Sequence, residues 1–261
     1  MVVHKARKRF GQNFLVDDSV IHNIISTFKP MKHDYVVEIG PGLSAITEPL
    51  IHSVNELLCI EIDRDLVKIL EHKFSKYKNV RIIESDVLNF DFNTLNIGIR
   101  LIGNLPYNIS TQLLFKIMEF SDQIIDAHFM LQREVVDRMI AQPSSSDYGR
   151  LSVMLQECYE IERLFDIRPD SFNPMPKVFS SFVRIKPLSF NRVRPKNYNI
   201  FKQLVTRAFS QKRKILKNSL GEWSKHLDWE ALDLNSQIRA ENLSVSKFIM
   251  ISDFLHNKGL M

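Results

Sequence analysis

The sequence predicts an α/β protein: a largely parallel sheet with helices packed on it, followed by a small all-helical domain at the C-terminal end. From residue 35 onward, short β-branched runs alternate with amphipathic stretches, the pattern of strands that return through helices to the same sheet. That texture stops near residue 187, and beyond it Tyr198 to Leu220 and Val245 to Leu255 space their apolar residues as helices do, without strands. A chain of 261 residues is long enough for one full domain and an appendage. The expected division is 1–187 for the sheet domain with a basic N-terminal arm and 188–261 for the helical one. Between them lies a connection that carries Pro187, Pro195 and several cations.

In chain order, the candidate strands are Tyr35 to Ile39, Leu57 to Glu61, Val80 to Glu84, Ile99 to Ile102 and Ala127 to Leu131, with Val178 to Ile185 closing the sheet late. Between the second and third, Leu66, Val67, Ile69, Leu70 and Phe74 recur at helical spacing after Asp63, a residue type suited to capping the exposed N–H groups of a helix start. The polar run from Pro143 to Gly149 reads as an exposed loop.

Composition excludes several classes. No apolar stretch approaches the roughly 20 residues that cross a bilayer. The basic start, Met1 to Arg9, runs into Phe10-Gly-Gln-Asn13 rather than into an apolar core and a cleavage site, so the expectation is a cytoplasmic protein without a secretory signal. Cys59 and Cys158 stand apart and the eight histidines show no ligand spacing, which predicts reduced thiols and no metal. The net charge of +5 is concentrated in the N-terminal arm and in 184–217, which hints at a polyanionic partner; taken alone, such a balance more often describes a solvated surface.

The chemistry is written at the strand ends. Glu38-Ile-Gly-Pro-Gly-Leu-Ser-Ala45 follows the first strand, and its glycines let backbone approach a nucleotide-like ligand at the strand's carboxyl end. Glu61, ending the next strand about 20 residues on, can accept both hydroxyl hydrogens of a ribose. Asp86, after the third strand, can accept from an adenine amino group. Singly each acid is better explained as a solvated strand end or a cap, but their shared place after consecutive strands reverses that preference and favours a cofactor site. Gly40-Pro-Gly42-Leu-Ser-Ala45 also satisfies a dinucleotide pattern, so NAD stays open at this point.

Asn104-Leu-Pro-Tyr107, directly after the fourth strand, discriminates. An aryl amine is a poor nucleophile because its lone pair is delocalised into the ring, and acceptors that hold its hydrogens favour the tetrahedral nitrogen that attacks a methyl group in line. The Asn104 side-chain oxygen and the Leu105 carbonyl supply two acceptors, Pro106 fixes the turn, and Tyr107 offers a ring on which a flipped base stacks. No strong general base is required, because the proton can leave after the nitrogen has become cationic.

Phe10-Gly-Gln-Asn-Phe-Leu15, Glu38-Ile-Gly-Pro-Gly42, Asn104-Leu-Pro-Tyr107 and Phe172-Asn-Pro-Met-Pro-Lys-Val178 together resemble the ribosomal RNA adenine dimethyltransferase family over nearly the whole chain. The resemblance implies a Rossmann-like class I methyltransferase sheet, S-adenosyl-L-methionine as co-substrate and no metal. It implies that Gln12, Asn13 and Leu15 help to hold that co-substrate with Gly40, Glu61, Asp86 and Asn104, and that Phe172 forms a second aromatic wall opposite Tyr107. Of the family's branches, one dimethylates adjacent adenines near the 3′ end of small-subunit (16S) RNA during subunit biogenesis, and another modifies large-subunit RNA in macrolide resistance. Gly11 and the segment Leu204 to Leu220 look like the small-subunit branch; the large-subunit branch and a non-catalytic RNA-binding assembly factor are the rivals. Two residues depart from the family pattern: Ser44 where a third glycine is usual, and Phe179 where aspartate is frequent. Serine at 44 adds a side chain near the cofactor: it can cap the following helix, but it weakens cofactor binding if that position needs positive φ.

The cations fit an RNA partner, namely small-subunit RNA within an assembling particle, with no membrane and a monomer as the simplest state. Lys5, Arg7, Lys8 and Arg9 precede the motif that covers the cofactor. Arg207, Lys212, Arg213, Lys214 and Lys217 are too closely spaced for one narrow helix stripe and predict a broad basic surface. Ile215, Leu216 and Leu220 would anchor that helix, and Trp223 and Trp229 read as core of the small domain.

Overall fold

A computed structural model describes residue 7 and residues 10–189, 191–211 and 213–259. The chain divides into two compact units, Met1–Val136 with Glu160–Pro187, and Asp137–Tyr159 with Leu188–Met261. The strands are β1 (Phe14–Leu15), β2 (Tyr35–Ile39), β3 (Glu56–Glu61), β4 (Val80–Glu84), β5 (Ile99–Asn104), β6 (Ile124–Gln132), β7 (Tyr159–Ile167), β8 (Phe172–Asn173) and β9 (Ser180–Pro187). The helices are α1 (Asp18–Phe28), α2 (Thr47–Ile51), α3 (Arg64–Phe74), α4 (Ser110–Met118), α5 (Arg133–Ile140), α6 (Arg150–Cys158), α7 (Tyr198–Ala208), α8 (Leu216–Leu220) and α9 (Val245–Asn257).

Seven strands form one sheet in the order β4-β3-β2-β5-β6-β9-β7. Neighbours from β4 to β6 are parallel, and β9 runs antiparallel to β6, with Gln132 opposite Ser180. The chain steps outward from β2 through β3 to β4 and then returns to the other side of β2 as β5. A cleft therefore opens where the order reverses, at the carboxyl ends of β2 and β5. The central strands carry Val36, Val37 and Ile39 on β2 and Ile99, Leu101 and Ile102 on β5, all buried, as helices on both faces of a parallel sheet require.

Two local features fix how closely β2 and β5 approach. Gly103 lies opposite Ile39, and a Cβ there would stand 2.4 Å from the Ile39 carbonyl oxygen, so only glycine fits. Arg100, one of the few buried charges, is held by Asp34 at 2.7 Å and Asp126 at 2.9 Å, donates to the Phe28 carbonyl and lies 4.1 Å from the Phe28 ring centre. Its charge is thus paired and its donors used, the condition under which a buried guanidinium is tolerated.

In the second unit, α7 packs on α9 and on α8. Ile200, Phe201, Leu204, Val205, Phe248, Ile251 and Leu255 are buried, and the Tyr148 hydroxyl donates to the Leu243 carbonyl at 2.8 Å. Residues 137–159 belong with this unit, whereas the sequence assigns them to 1–187. The reason is that α6 packs against α7 and α9, while Arg192 donates to the Glu157 carbonyl at 2.9 Å. The expected Tyr198 to Leu220 helix is interrupted. It stops at Ala208, where Ser210 Oγ takes up the Arg207 carbonyl, and resumes at Leu216, whose N–H donates to Ile238 O at 2.7 Å. Trp223 is buried as expected, and Trp229 half-buried.

The six expected strands are all present within a few residues at their ends. β7 was not anticipated, because Glu160, Glu162, Arg163 and Asp166 make it read as surface; it is the edge strand beside β9. The two-residue pair β1 and β8 also lies below what periodicity can reveal.

Candidate active site

A cavity of about 280 Å³ occupies the cleft and is lined from both sides of the switch point: Gly40 and Gly42 after β2, Glu61 at the end of β3 with Ile62 beyond it, Asp86 and Val87 after β4, and Asn104 at the end of β5 with residues 105–109 beyond it. Residues 10–14 complete the wall.

The glycine loop bends sharply. Gly40 and Gly42 have φ of +67° and +57°, and a Cβ on Gly42 would stand 3.0 Å from the Phe14 ring, so the missing side chain is what lets Phe14 lie on the loop. Ser44 also has positive φ, +72°, the strained case anticipated for this departure. It is fully buried and its hydroxyl is shared with Glu48 at 2.8 Å and Lys73 at 2.7 Å, while Lys73 also pairs with Glu48. Those bonds join the loop to α2 and α3 and offset the strain.

Glu61 is 5% exposed, and its two oxygens accept from the Gly42 N–H at 3.2 Å and the Asp63 N–H at 2.9 Å. Burial pushes its carboxyl up, and these backbone donors pull against that. Asp86 Oδ1 accepts from the Leu88 N–H at 2.9 Å and Oδ2 from Asn89 at 3.2 Å, so each acid is held in place at the cavity with acceptor capacity to spare.

On the other side, Asn104 Nδ2 donates to the Asn13 carbonyl at 2.7 Å. Because the amide's donor is committed there, its Oδ1 is the end that remains as an acceptor. The Leu105 N–H donates to Met130 O at 3.2 Å, which pins the Asn104–Leu105 peptide immediately before the Leu105 carbonyl. Tyr107 is half-buried; burial raises its phenol, and the hydroxyl is bonded to Ser180 Oγ at 2.8 Å. Gly11 also has positive φ, +61°, and a Cβ there would meet Asn108 Oδ1 at 2.9 Å. Segment 10–15 is therefore seated on the Asn104–Asn108 turn.

Of the residues singled out in the sequence, Gln12, Asn13, Gly40, Glu61, Asp86, Asn104, Leu105 and Tyr107 line one cavity. Leu15 and Phe172 do not. They face each other in the β1–β8 pair, 6% and 3% exposed, inside the apolar cluster that includes Ile24 and Phe182. The expected wall position of Phe172 differs because the antiparallel pairing turns both side chains into that cluster. Gln12 lines the cavity, but its amide is used to hold the arm: Oε1 accepts from the Arg7 N–H at 2.7 Å and Nε2 donates to Asp63 at 3.1 Å. The Arg7 guanidinium pairs with Asp63 at 2.9 Å and with Asp65, not with open solvent. Lys5, Lys8, Arg9 and Lys212 lie outside the described residues. Arg213, Lys214 and Lys217 are exposed, and Arg207, also exposed, lies 4.8 Å from the Trp223 ring centre.

The sequence reading missed Phe14, whose signal was the glycine pair it covers, and Ile62 and Val87, each directly after a strand-end acid. It also missed Ser180, 73 residues from the tyrosine it binds, which no local pattern marks. Among the described residues, no group of three His, Cys, Asp or Glu is placed to hold a metal ion, and no helix is long and apolar enough to cross a membrane.

The family described as ribosomal RNA adenine dimethylase matches residues 3–257. Ribosomal RNA small subunit methyltransferase A of Bordetella petrii is 50% identical over 256 residues, 98% of this chain and 97% of that one. The protein of the same name from Neisseria meningitidis serogroup A is 48% identical over 260 residues, with both chains covered completely. Among solved structures, a dimethyladenosine transferase from Plasmodium falciparum superposes with a TM-score of 0.82 at 25% identity, covering 94% of this chain and 98% of that one. The 23S rRNA methyltransferase ErmE shares the fold, with a TM-score of 0.71 at 22% identity and coverage of 94% and 100%.

Proposed function

The chain belongs to the ribosomal RNA adenine dimethylase family, and from that premise we propose that it transfers methyl groups from S-adenosyl-L-methionine to the exocyclic N6 of two adjacent adenines near the 3′ end of small-subunit RNA. The observation that carries the chemistry is the Asn104–Asn13 hydrogen bond, which commits the amide's donor and leaves its oxygen to accept. The branch rests on relatives about half identical over their whole length and named for the small subunit.

The cavity fits the co-substrate. Glu61 and Asp86 offer carboxylate oxygens to ribose hydroxyls and to an adenine amino group, Phe14, Ile62 and Val87 supply apolar surface for a flat ring, and the glycine loop admits a chain close to backbone. S-Adenosylmethionine bound there supplies an electrophilic methyl group on a positively charged sulfur.

The protein's own residues do the rest. Tyr107, braced by Ser180, gives the extruded base a ring to stack on. Asn104 Oδ1 and the Leu105 carbonyl accept the two amine hydrogens and hold the nitrogen with its lone pair free of the ring. After one methylation a single N–H remains, and one of the two acceptors still holds it while the other side admits the methyl group. No residue need act as a strong base, since the nitrogen sheds its proton once it is cationic. Leu15 and Phe172 act from the core: their pairing anchors the end of segment 10–15, which covers the cavity. The exposed cations Arg207, Arg213, Lys214 and Lys217 serve as contacts to RNA phosphates, and Lys5, Lys8, Arg9 and Lys212 extend that proposal.

Incubation with methyl-labelled S-adenosylmethionine and, separately, unmethylated small and large ribosomal particles tests the assignment. Label in small-subunit RNA is the expected result; label in the large subunit alone would transfer the protein to the resistance branch, and RNA binding without label would make it an assembly factor.

A further inference from the structure

The departure at Phe179 has a partner. Phe179 precedes β9 and Arg133 follows β6, each one residue beyond the Gln132–Ser180 pair that ends the ladder. The Arg133 N–H donates to the Phe179 carbonyl at 3.0 Å, and the guanidinium lies 5.2 Å from the centre of the Phe179 ring. Both side chains remain open to solvent, Phe179 at 43% and Arg133 at 50%. Asp166 is the acid beside them; it reaches Arg133 at 3.8 Å and already accepts from Ser181 Oγ at 2.5 Å. The loop before Phe179 exposes Met175 at 67% and Val178 at 42%, with Lys177 between them also exposed. A phenylalanine, a methionine and a valine left in water on one short loop have no packing explanation, and an exposed aromatic ring with an arginine beside it offers a surface on which a nucleobase can stack.

The position supplies the occupant. Ser180, the residue next to Phe179, holds the hydroxyl of Tyr107, so the platform stands one residue along the chain from the group that braces the ring assigned to the target base. It lies at the same carboxyl edge of the sheet as Asn104, on the β9 side, whereas the cofactor loop is on the β2 side. An adenine swung into the pocket brings its neighbour in the strand to the rim. Resting on the reading given above, we propose that Phe179, with Arg133 over it, is a stacking platform for the nucleobase flanking the methylated adenine. This is a substrate-binding role for the one motif position where the chain carries an aromatic ring in place of the family's frequent aspartate. An unpaired base stacks on an aromatic ring whatever its identity, so the site grips the strand rather than reads it.

Two readouts on Phe179→Ala, Phe179→Trp and the parent protein test this. With unmethylated small subunits, Phe179→Ala raises the KM for the particle by roughly five- to twentyfold, while Phe179→Trp stays near the parent and the KM for S-adenosylmethionine is unchanged. With a short single-stranded RNA carrying fluorescent 2-aminopurine beside one adenine, the parent and the tryptophan variant quench the probe and the alanine variant does not. Equal quenching by the parent and Phe179→Ala overturns the platform, as does an unchanged particle KM. If no protein, parent included, labels small subunits, the functional reading fails instead, and the quenching result alone decides the platform.

Discussion

On the cofactor half of the sheet edge, over β2, β3 and β4, the groups facing the cavity come from three successive strand ends. Their most telling mutual contact, Gly42 to Glu61, spans 19 residues. On the base half, over β5, β6 and β9, the equivalent contacts span 91 residues for Asn104 to Asn13 and 73 for Tyr107 to Ser180. The first half is set by backbone shape: positive φ at Gly40 and Gly42, and acids where strands stop. The second is set by orientation, because an amide and an aromatic ring act only in the right pose, which distant partners help to fix. Cofactor binding should therefore tolerate loss of the Asn104 amide or the Tyr107 ring, and methyl transfer should not.

The largest effect expected is on Asn104→Ala, which removes the oxygen proposed to accept from the reacting amine. Its single-turnover methylation of small subunits should fall by about 10²–10³-fold, with cofactor affinity, measured by calorimetry, changing far less. Tyr107→Ala removes the stacking surface, and its kcat/KM for the particle should drop by roughly tenfold or more; Tyr107→Phe, which loses only the bond to Ser180, should stay within a few-fold. Equal losses in the two tyrosine variants would mean that bracing matters more than the ring.

Gly103→Ala tests the seam between the halves. With a Cβ 2.4 Å from the Ile39 oxygen, backbone must move, at a cost of about 1–3 kcal/mol that a urea titration will show. Glu38 sits on the cofactor side, fully buried, and desolvation raises its carboxyl from an ordinary 4.5 to about 7. Between those values the folded chain holds a proton that the unfolded chain has lost. This group's contribution to stability therefore falls as pH rises from 4.5 to 7 and stays low above that. Glu38→Gln should flatten that decline, seen as a urea midpoint less sensitive to pH between 5 and 8. The smallest expected effect isolates strain at Ser44: Ser44→Ala and Ser44→Gly both lose the bonds to Glu48 and Lys73, but only alanine keeps a side chain at a φ of +72°, so it should be less stable than Ser44→Gly by about 1 kcal/mol in urea unfolding. The reverse order would show that the loop is not strained.

The same contrast explains what could be read from the sequence. Strands β2, β3, β5, β6 and β9 announce themselves because burial forces long apolar, β-branched runs, the half-buried edge strand β4 keeps Val80, Ile82 and Ile83, and the acids of the cofactor half stand at or just beyond the strand ends. Asn104 and Tyr107 were legible as residue types, but not as aimed groups: nothing near them in the chain points to Asn13 or Ser180. Phe172 illustrates the limit. Its aromatic character matched the motif, yet the pairing of β8 with β1, too short to carry a period, turned it into the core beside Leu15. The break after Ala208 and the attachment of residues 137–159 to the helical unit are likewise consequences of packing between distant helices, which amphipathic spacing cannot reveal.

The most direct measurement is the identity of the final product. Small-subunit RNA methylated to completion by the parent protein is digested to nucleosides and analysed by mass. Two acceptors at one amine, with room for the monomethylated nitrogen, predict N6,N6-dimethyladenosine as the end product; accumulation of monomethyladenosine, or methylation of any other base, would contradict the account.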